Sequence, residues 1–231
     1  MLIFKRVVIF VLILIPVFLS GQEMTVEQSF LQQSIENMII REMSRAEGRE
    51  MKEVAMEFIG NAIERGNLSD EVRTSLEYMA FEGITNITME SGRVMNNHPM
   101  IRTQAATYLG MFNTVEATDA LVRMVLNDNE PMVIAEAVRS LTTIGINEGN
   151  ITESVSAIVW KLDYFSRTNP DDLLARAAIE AFERFAEING YIDRSAVESV
   201  RRISTNGSYT RSVRERALQA LNTMMWLPMT D

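Results

Sequence analysis

One register recurs along most of this chain, and it restricts the fold more than any other feature. It runs Pro99-Met100-Ile101-Arg102-Thr103-Gln104-Ala105-Ala106-Thr107-Tyr108-Leu109-Gly110, and then Pro131-Met132-Val133-Ile134-Ala135-Glu136-Ala137-Val138-Arg139-Ser140-Leu141. A third copy opens at Asp171 and puts Leu174, Ala177, Ala178, Ala181 and Phe182 in the same slots; a fourth opens at Arg211 with Val213, Arg214, Ala217, Leu218 and Leu221. Asp70, Val72, Arg73 and Leu76 give a weaker, earlier copy. The anchor slot moves from 105 to 137, 177 and 217, steps of 32, 40 and 40 residues, which is the length of a helix pair. Apolar residues at i, i+3, i+4 and i+7 make a stripe that one pair cannot cover alone, and alanines at the anchor let helix backbones approach closely. Successive pairs must therefore stack.

Partner helices lie between the copies. Glu116 to Asp128 carries Ala117, Ala120, Leu121, Met124 and Val125 on one face. Ile151 to Arg167 does so with Val155, Ile158, Val159, Leu162 and Phe165, and Arg194 to Thr205 with Val197, Val200 and Ile203. Turn chemistry separates them at Asn127-Asp128-Asn129-Glu130-Pro131, Asn147-Glu148-Gly149-Asn150, Asn169-Pro170-Asp171, Asn189-Gly190 and Asn206-Gly207-Ser208. Gly83 to Asn97, with two glycines and several β-branched residues, fits worst; a short or irregular helix is expected there.

Leu121-x-x-Met124-x-x-x-Asp128-x-x-Pro131-x-Val133, continued by Ala137 and Leu141, resembles the HEAT repeat, in its short bacterial variety. Val94-Met95-Asn96-Asn97-His98-Pro99-Met100-Ile101-Arg102, continued by Ala105-Ala106 and Leu109-Gly110, resembles it too. The likeness covers about residues 69 to 226. The motif arginine stands at Arg73, Arg102 and Arg214 but gives way to Ile134 and Leu174, and its proline to Asp171 and Arg211. The resemblance implies an all-α, right-handed α-solenoid of about five stacked helix pairs, and it says little of function. Such repeats serve scaffolds, adaptors, a few lyases and some DNA-repair enzymes.

Residues 1–21 read as a signal peptide. Lys5 and Arg6 precede a 13-residue apolar stretch from Val7 to Leu19 that includes Pro16. A bilayer span needs about 20 apolar residues, so cleaved export is expected ahead of an N-terminal anchor. Residues 22–66 are expected to form an N-terminal capping helix pair, continuous with a repeat solenoid over 67–231. The expected location is periplasmic or secreted, with inner-membrane anchoring by residues 1–21 as the alternative.

Composition excludes several chemistries. No cysteine is present and His98 is the single histidine, so thiol catalysis, disulfides, cysteine-bound zinc and paired-histidine metal sites are ruled out. The net charge is −9, and removing Lys5 and Arg6 leaves 20 basic against 31 acidic residues, or −11, which argues against a nucleic-acid partner. The charge is uneven: residues 22–92 hold 14 acidic and 6 basic side chains, residues 191–231 hold 4 and 6. Glu42, Glu47, Glu50, Glu53 and Glu57, interleaved with Arg41, Arg45, Arg49 and Lys52, read as a solvated face rather than an acid–base pair.

No catalytic, cofactor-binding or metal-ligating set emerges, and no small-molecule ligand is evident. The chain reads as a non-enzymatic scaffold or adaptor that binds another protein of the cell envelope, with membrane contact only if residues 1–21 are kept. A carboxylate-dependent envelope enzyme acting on cell-wall glycan, or a membrane-tethered structural component, is the alternative. On a helical wheel Trp160 and Tyr164 fall opposite the Val155, Ile158, Val159, Leu162 stripe, where aromatics serve as interface anchors as well as inter-repeat packing. The resemblance places the second helix of each pair on a concave binding face, which would carry Arg123, Trp160, Tyr164, Arg201 and Arg202. Arg194, Arg201, Arg202 and Arg211 make a candidate anion patch.

Overall fold

A computed structural model describes residues 26–144 and 148–230, with the side chains of 148–150 excepted. Residues 1–21, read as a signal segment, lie outside the described residues. Among the described residues ten helices make up about 73%, so the molecule is all-α in class. They are α1 (Val26–Arg45), α2 (Arg49–Glu64), α3 (Asp70–Ala80), α4 (Pro99–Leu109) and α5 (Val115–Asn127), then α6 (Pro131–Thr143), α7 (Glu148–Thr168), α8 (Asp172–Asn189), α9 (Arg194–Thr205) and α10 (Arg211–Met224). No helix among the described residues is long and apolar enough to cross a membrane.

The chain divides into two compact units at Met38/Ile39. The described part of the first, Val26–Met38, is helical and exposes Val26, Phe30, Leu31, Ile35 and Met38. In the second, contacts alternate along the sequence. Helices α2, α4, α6, α8 and α10 pack each on the next, as do α3, α5, α7 and α9. Sequence neighbours join the two rows at α3–α4, α5–α6, α7–α8 and α9–α10. Ala105, Ala137, Ala177 and Ala217, the recurring anchor residues, are all buried.

Local chemistry sets the helix ends. Pro99 and Pro131 occupy first-turn positions, where a missing N–H costs nothing. The side chains of Thr114, Asp171 and Asp193 cap α5, α8 and α9 by accepting from the N–H groups of Ala117 (3.2 Å), Leu174 (2.9 Å) and Ser195 (2.7 Å). Gly190 ends α8 in the left-handed region at φ 71°, which a side chain would disfavour.

The expectation of a short helix within 83–97 is corrected. That stretch is a β-hairpin, β1 (Met89–Glu90) against β2 (Arg93–Val94), with Met89 opposite Val94 and Glu90 opposite Arg93. Ser91 and Gly92 form its two-residue loop, both at positive φ (50° and 79°), the geometry that matches the twist of a tight hairpin. The β-branched Ile84, Thr85, Ile87 and Thr88 and a left-handed Gly83 disfavour helix on the approach. Near the C-terminus, β3 (Ile192–Asp193) pairs in parallel with β4 (Met229–Thr230), so the tail returns to the α8–α9 connection.

Candidate functional site

Helix α7 presents the aromatic pair. Ile151, Val155, Ile158, Leu162 and Phe165 turn its apolar face into the core, and residues 160 and 164 are left on the outer side. Trp160 is 55% exposed and Tyr164 47%. Their rings lie nearly parallel, 10° apart with centroids at 6.1 Å, and Phe165 meets Tyr164 edge-on at 5.6 Å. Neither the indole N–H nor the phenol hydroxyl has a hydrogen-bond partner among the described residues.

The pair borders a groove of about 460 Å3, lined also by Ser156, Val159, Asp163, Arg167, Thr168 and Ser195. Asp163 stands at its centre of charge and is already engaged. It accepts from Arg202 of α9 at 2.5 Å and from the Ser199 hydroxyl at 3.4 Å, and it faces Arg167 at 4.0 Å. This ion pair ties α7 to α9 beside the groove.

Behind the aromatics lies a group that the sequence did not reveal. Lys161 is 2% exposed, and its ammonium donates to the Leu126 carbonyl at the end of α5 (3.2 Å) while lying within 5.8 Å of the Trp160, Tyr164 and Phe165 ring centroids. Burial lowers its pKa from the ordinary 10.5, and the nearby Asp128 carboxylate opposes that shift. The last carbonyls of a helix carry partial negative charge and lack intrahelical donors, so a lysine there is held both by dipole and by hydrogen bond.

Lys161 extends a line of buried charge. Arg102, 1% exposed, donates from Nε and Nη2 to Asp128 at 2.6 and 3.2 Å, and from Nη1 to the Asn97 amide oxygen (2.8 Å) and the Glu82 carbonyl (3.4 Å). Lys52, 1% exposed, pairs with Glu82 at 3.1 Å, donates to the Ser44 carbonyl at 2.5 Å and lies 5.1 Å from the Tyr78 ring centroid. Glu82 Oε2 is the one buried side-chain oxygen without a partner among the described residues. Placing Lys52 on a solvated face is therefore corrected. It shares the α2 stripe with Ala55, Met56 and Ile59 at i+3, i+4 and i+7, a spacing that marks its direction. Glu42, Glu47, Glu50, Glu53 and Glu57 are exposed, and Arg49 meets Glu53 at 2.7 Å.

The other expected binding residues disperse. Arg123 of α5 lies 4.8 Å above the Phe81 ring and 3.5 Å from Glu77, away from the groove lining. Arg211 starts α10 in the other row and pairs with Glu215 at 2.7 Å, which holds its pKa above the ordinary value. Arg201 is exposed with no partner among the described residues, whereas Arg194 is engaged. Of the seven, the structure brings together Trp160, Tyr164 and, through Asp163, Arg202. His98 precedes α4 without a side-chain capping bond and lines a separate hollow of about 410 Å3 with Arg45, Glu47 and Glu90. No set of three His, Asp or Glu side chains among the described residues is placed to hold a metal ion.

Compared with known proteins, the chain matches no protein family, no curated protein and no solved structure.

Proposed function

We propose that the chain is a non-enzymatic scaffold or adaptor that binds another protein through the outer side of α7 and its junction with α9. The observation that carries this reading is the Trp160–Tyr164 pair: two large rings, half exposed beside a groove, with both polar tips unpartnered. Aromatic side chains lose little conformational entropy on contact and supply much apolar area, so such pairs anchor interfaces. The face is also stiff. Lys161 and Asp163 tie α7 to α5 and α9, so a partner meets a surface that is formed beforehand, and the entropy cost of association falls.

The finer architecture belongs to the same proposal. Two rows of alternating helices and a 32- to 40-residue repeat support a right-handed, HEAT-like solenoid of about five helix pairs. The charged, apolar stretch over residues 1–21 supports export to the periplasm or medium, where the partner is an envelope protein. N-terminal sequencing of the exported chain tests that part: a start near Gln22 supports cleavage, and an intact Met1 refutes it. The binding reading is tested by affinity capture with the full chain against Trp160→Ala/Tyr164→Ala. Loss of specific partners from the double variant is expected; an unchanged set removes this face from the proposal.

A further inference from the structure

The chain holds two Asn-Gly pairs, Asn189-Gly190 and Asn206-Gly207, and the structure sets them apart. We infer that Asn206, in the α9–α10 connection, is a site of spontaneous deamidation in the folded protein, and that Asn189 is protected. In both pairs the glycine lacks a Cβ, so its backbone nitrogen can approach the side-chain carbonyl carbon of the asparagine before it. At Gly190 that nitrogen is engaged. Its N–H donates to the Ala186 carbonyl at 2.9 Å, and Asn189 is the last residue of α8, so attack there must break a helix-ending bond and turn a helical backbone. At Gly207 the N–H has no acceptor among the described residues and the residue is exposed to water. Asn206 itself lies past the end of α9 in extended backbone, at φ −81° and ψ 113°.

Two further contacts favour the reaction. The Ser208 N–H donates to Asn206 Oδ1 at 2.9 Å, which draws electrons from Cγ and supports the negative charge that this oxygen gains in the tetrahedral intermediate. The Arg214 guanidinium has no partner among the described residues, and its Nη1 lies 3.8 Å from where a Cβ of Gly207 would stand. A free cation at that distance eases loss of the Gly207 amide proton and stabilises the anion that results. The Gly207 nitrogen forms a bond to Asn206 Cγ, the Cγ–Nδ2 bond breaks, and ammonia leaves carrying the equivalent of the proton given up by Gly207. Water then opens the cyclic imide at either carbonyl, to aspartate or to isoaspartate. The net change is amide plus water to carboxylate plus ammonium, and the new carboxylate stands beside Arg214, which has no anion before conversion. This chemistry is independent of what the α7–α9 face binds.

The full chain is incubated at mildly alkaline pH and digested with trypsin, which separates the two sites: Asn189 lies in the peptide Phe185–Arg194 and Asn206 in Ile203–Arg211. Mass spectrometry with fragmentation that tells isoaspartate from aspartate follows each over time. Conversion at Asn206 is expected to outpace that at Asn189 by at least about tenfold, roughly what one backbone hydrogen bond is worth in rate. In guanidinium chloride the two rates should come together, within about threefold, because both are then plain Asn-Gly peptides. Arg214→Met should slow Asn206 by at least about threefold in the folded chain and leave its denatured rate unchanged, and Arg214→Lys should restore part of the loss. Circular dichroism of both variants shows that they are folded when assayed. Equal rates in the folded chain, a faster Asn189, or a tenfold gap that persists in denaturant overturns the inference; an unchanged Arg214→Met rate overturns the part given to Arg214.

Discussion

Replacing Arg102 by methionine tests how far the buried charges hold the helix rows together. The guanidinium makes four hydrogen bonds, two of them to Asp128, and both side chains are almost fully buried. Methionine fills much of the same volume, so the loss is chiefly electrostatic. It leaves the Asp128 carboxylate in the interior with the Glu130 N–H at 2.9 Å and the Lys161 ammonium as its remaining support. Breaking a buried pair by deleting one partner costs about 3–5 kcal/mol. Lys161 places the expectation near the lower end, about 3 kcal/mol, a large share of a total stability of about 5–15 kcal/mol. Asp128→Asn keeps an acceptor for Glu130 and strands the arginine instead, at a similar cost. Urea unfolding followed by far-UV circular dichroism, on the wild type, both single variants and the double variant, gives the coupling directly. The double variant is expected to fall short of the sum of the singles by about 2 kcal/mol or more. An Arg102→Met loss below about 1 kcal/mol, or singles that add within about 0.5 kcal/mol, would refute the claim that this pair is a structural clamp.

The packing of the helices has other consequences. A Cβ built on Gly110 would lie 2.8 Å from Cβ and 3.1 Å from Cα of Ser140, so Gly110→Ala should push α4 from α6 and lower stability by about 1–3 kcal/mol; an unchanged urea midpoint would show that the two helices have slack. Lys161 has a lowered folded pKa, so the unfolded chain binds its proton more tightly, and its contribution to stability should grow as pH rises from the folded value toward 10.5. Lys161→Met should flatten that rise when urea midpoints are compared with wild type at neutral and alkaline pH; parallel pH profiles would contradict it. Tyr209 has the opposite sign, since burial raises its pKa above 10.0 and the folded state keeps the proton longer, so stability should fall as pH passes 10. Tyr209→Phe removes that decline together with the 2.7 Å hydrogen bond to Ser166, at a cost of about 1 kcal/mol near neutral pH.

Periodicity made the helices legible because burial is decided locally, one face at a time. Arg194–Thr205 coincides with α9, and the anchor alanines lie where the stripe put them. What periodicity cannot encode is pairing over distance. Arg102 and Asp128 are 26 residues apart, Lys52 and Glu82 are 30 apart, and Asp163 and Arg202 are 39 apart, so each pair exists only once the rows have stacked. An arginine counted on one helix as a free cation can thus be spent on a neighbour, as Arg202 is. The hairpin at 89–94 escaped for a different reason. Its strands are two residues each, too short to show alternation, and only the Ser91-Gly92 loop carried a signal.

Trp160 and Tyr164 were readable because two independent constraints fix the rotation of α7. The apolar stripe through Val155, Ile158, Leu162 and Phe165 sets one direction. Lys161 sets it again, since its ammonium must reach the Leu126 carbonyl and its stem is then enclosed. At 100° per residue, Lys161 lies about 80° to one side of the stripe's centre and positions 160 and 164 lie about 180° and 140° from it, so a helix held at both the stripe and Lys161 keeps both aromatics outward. Either device alone would tolerate some roll of the helix, which would bury one ring against α5 or α9. Acting together they hold both rings on the open side, and the surface available to a partner is a consequence of how the interior is satisfied.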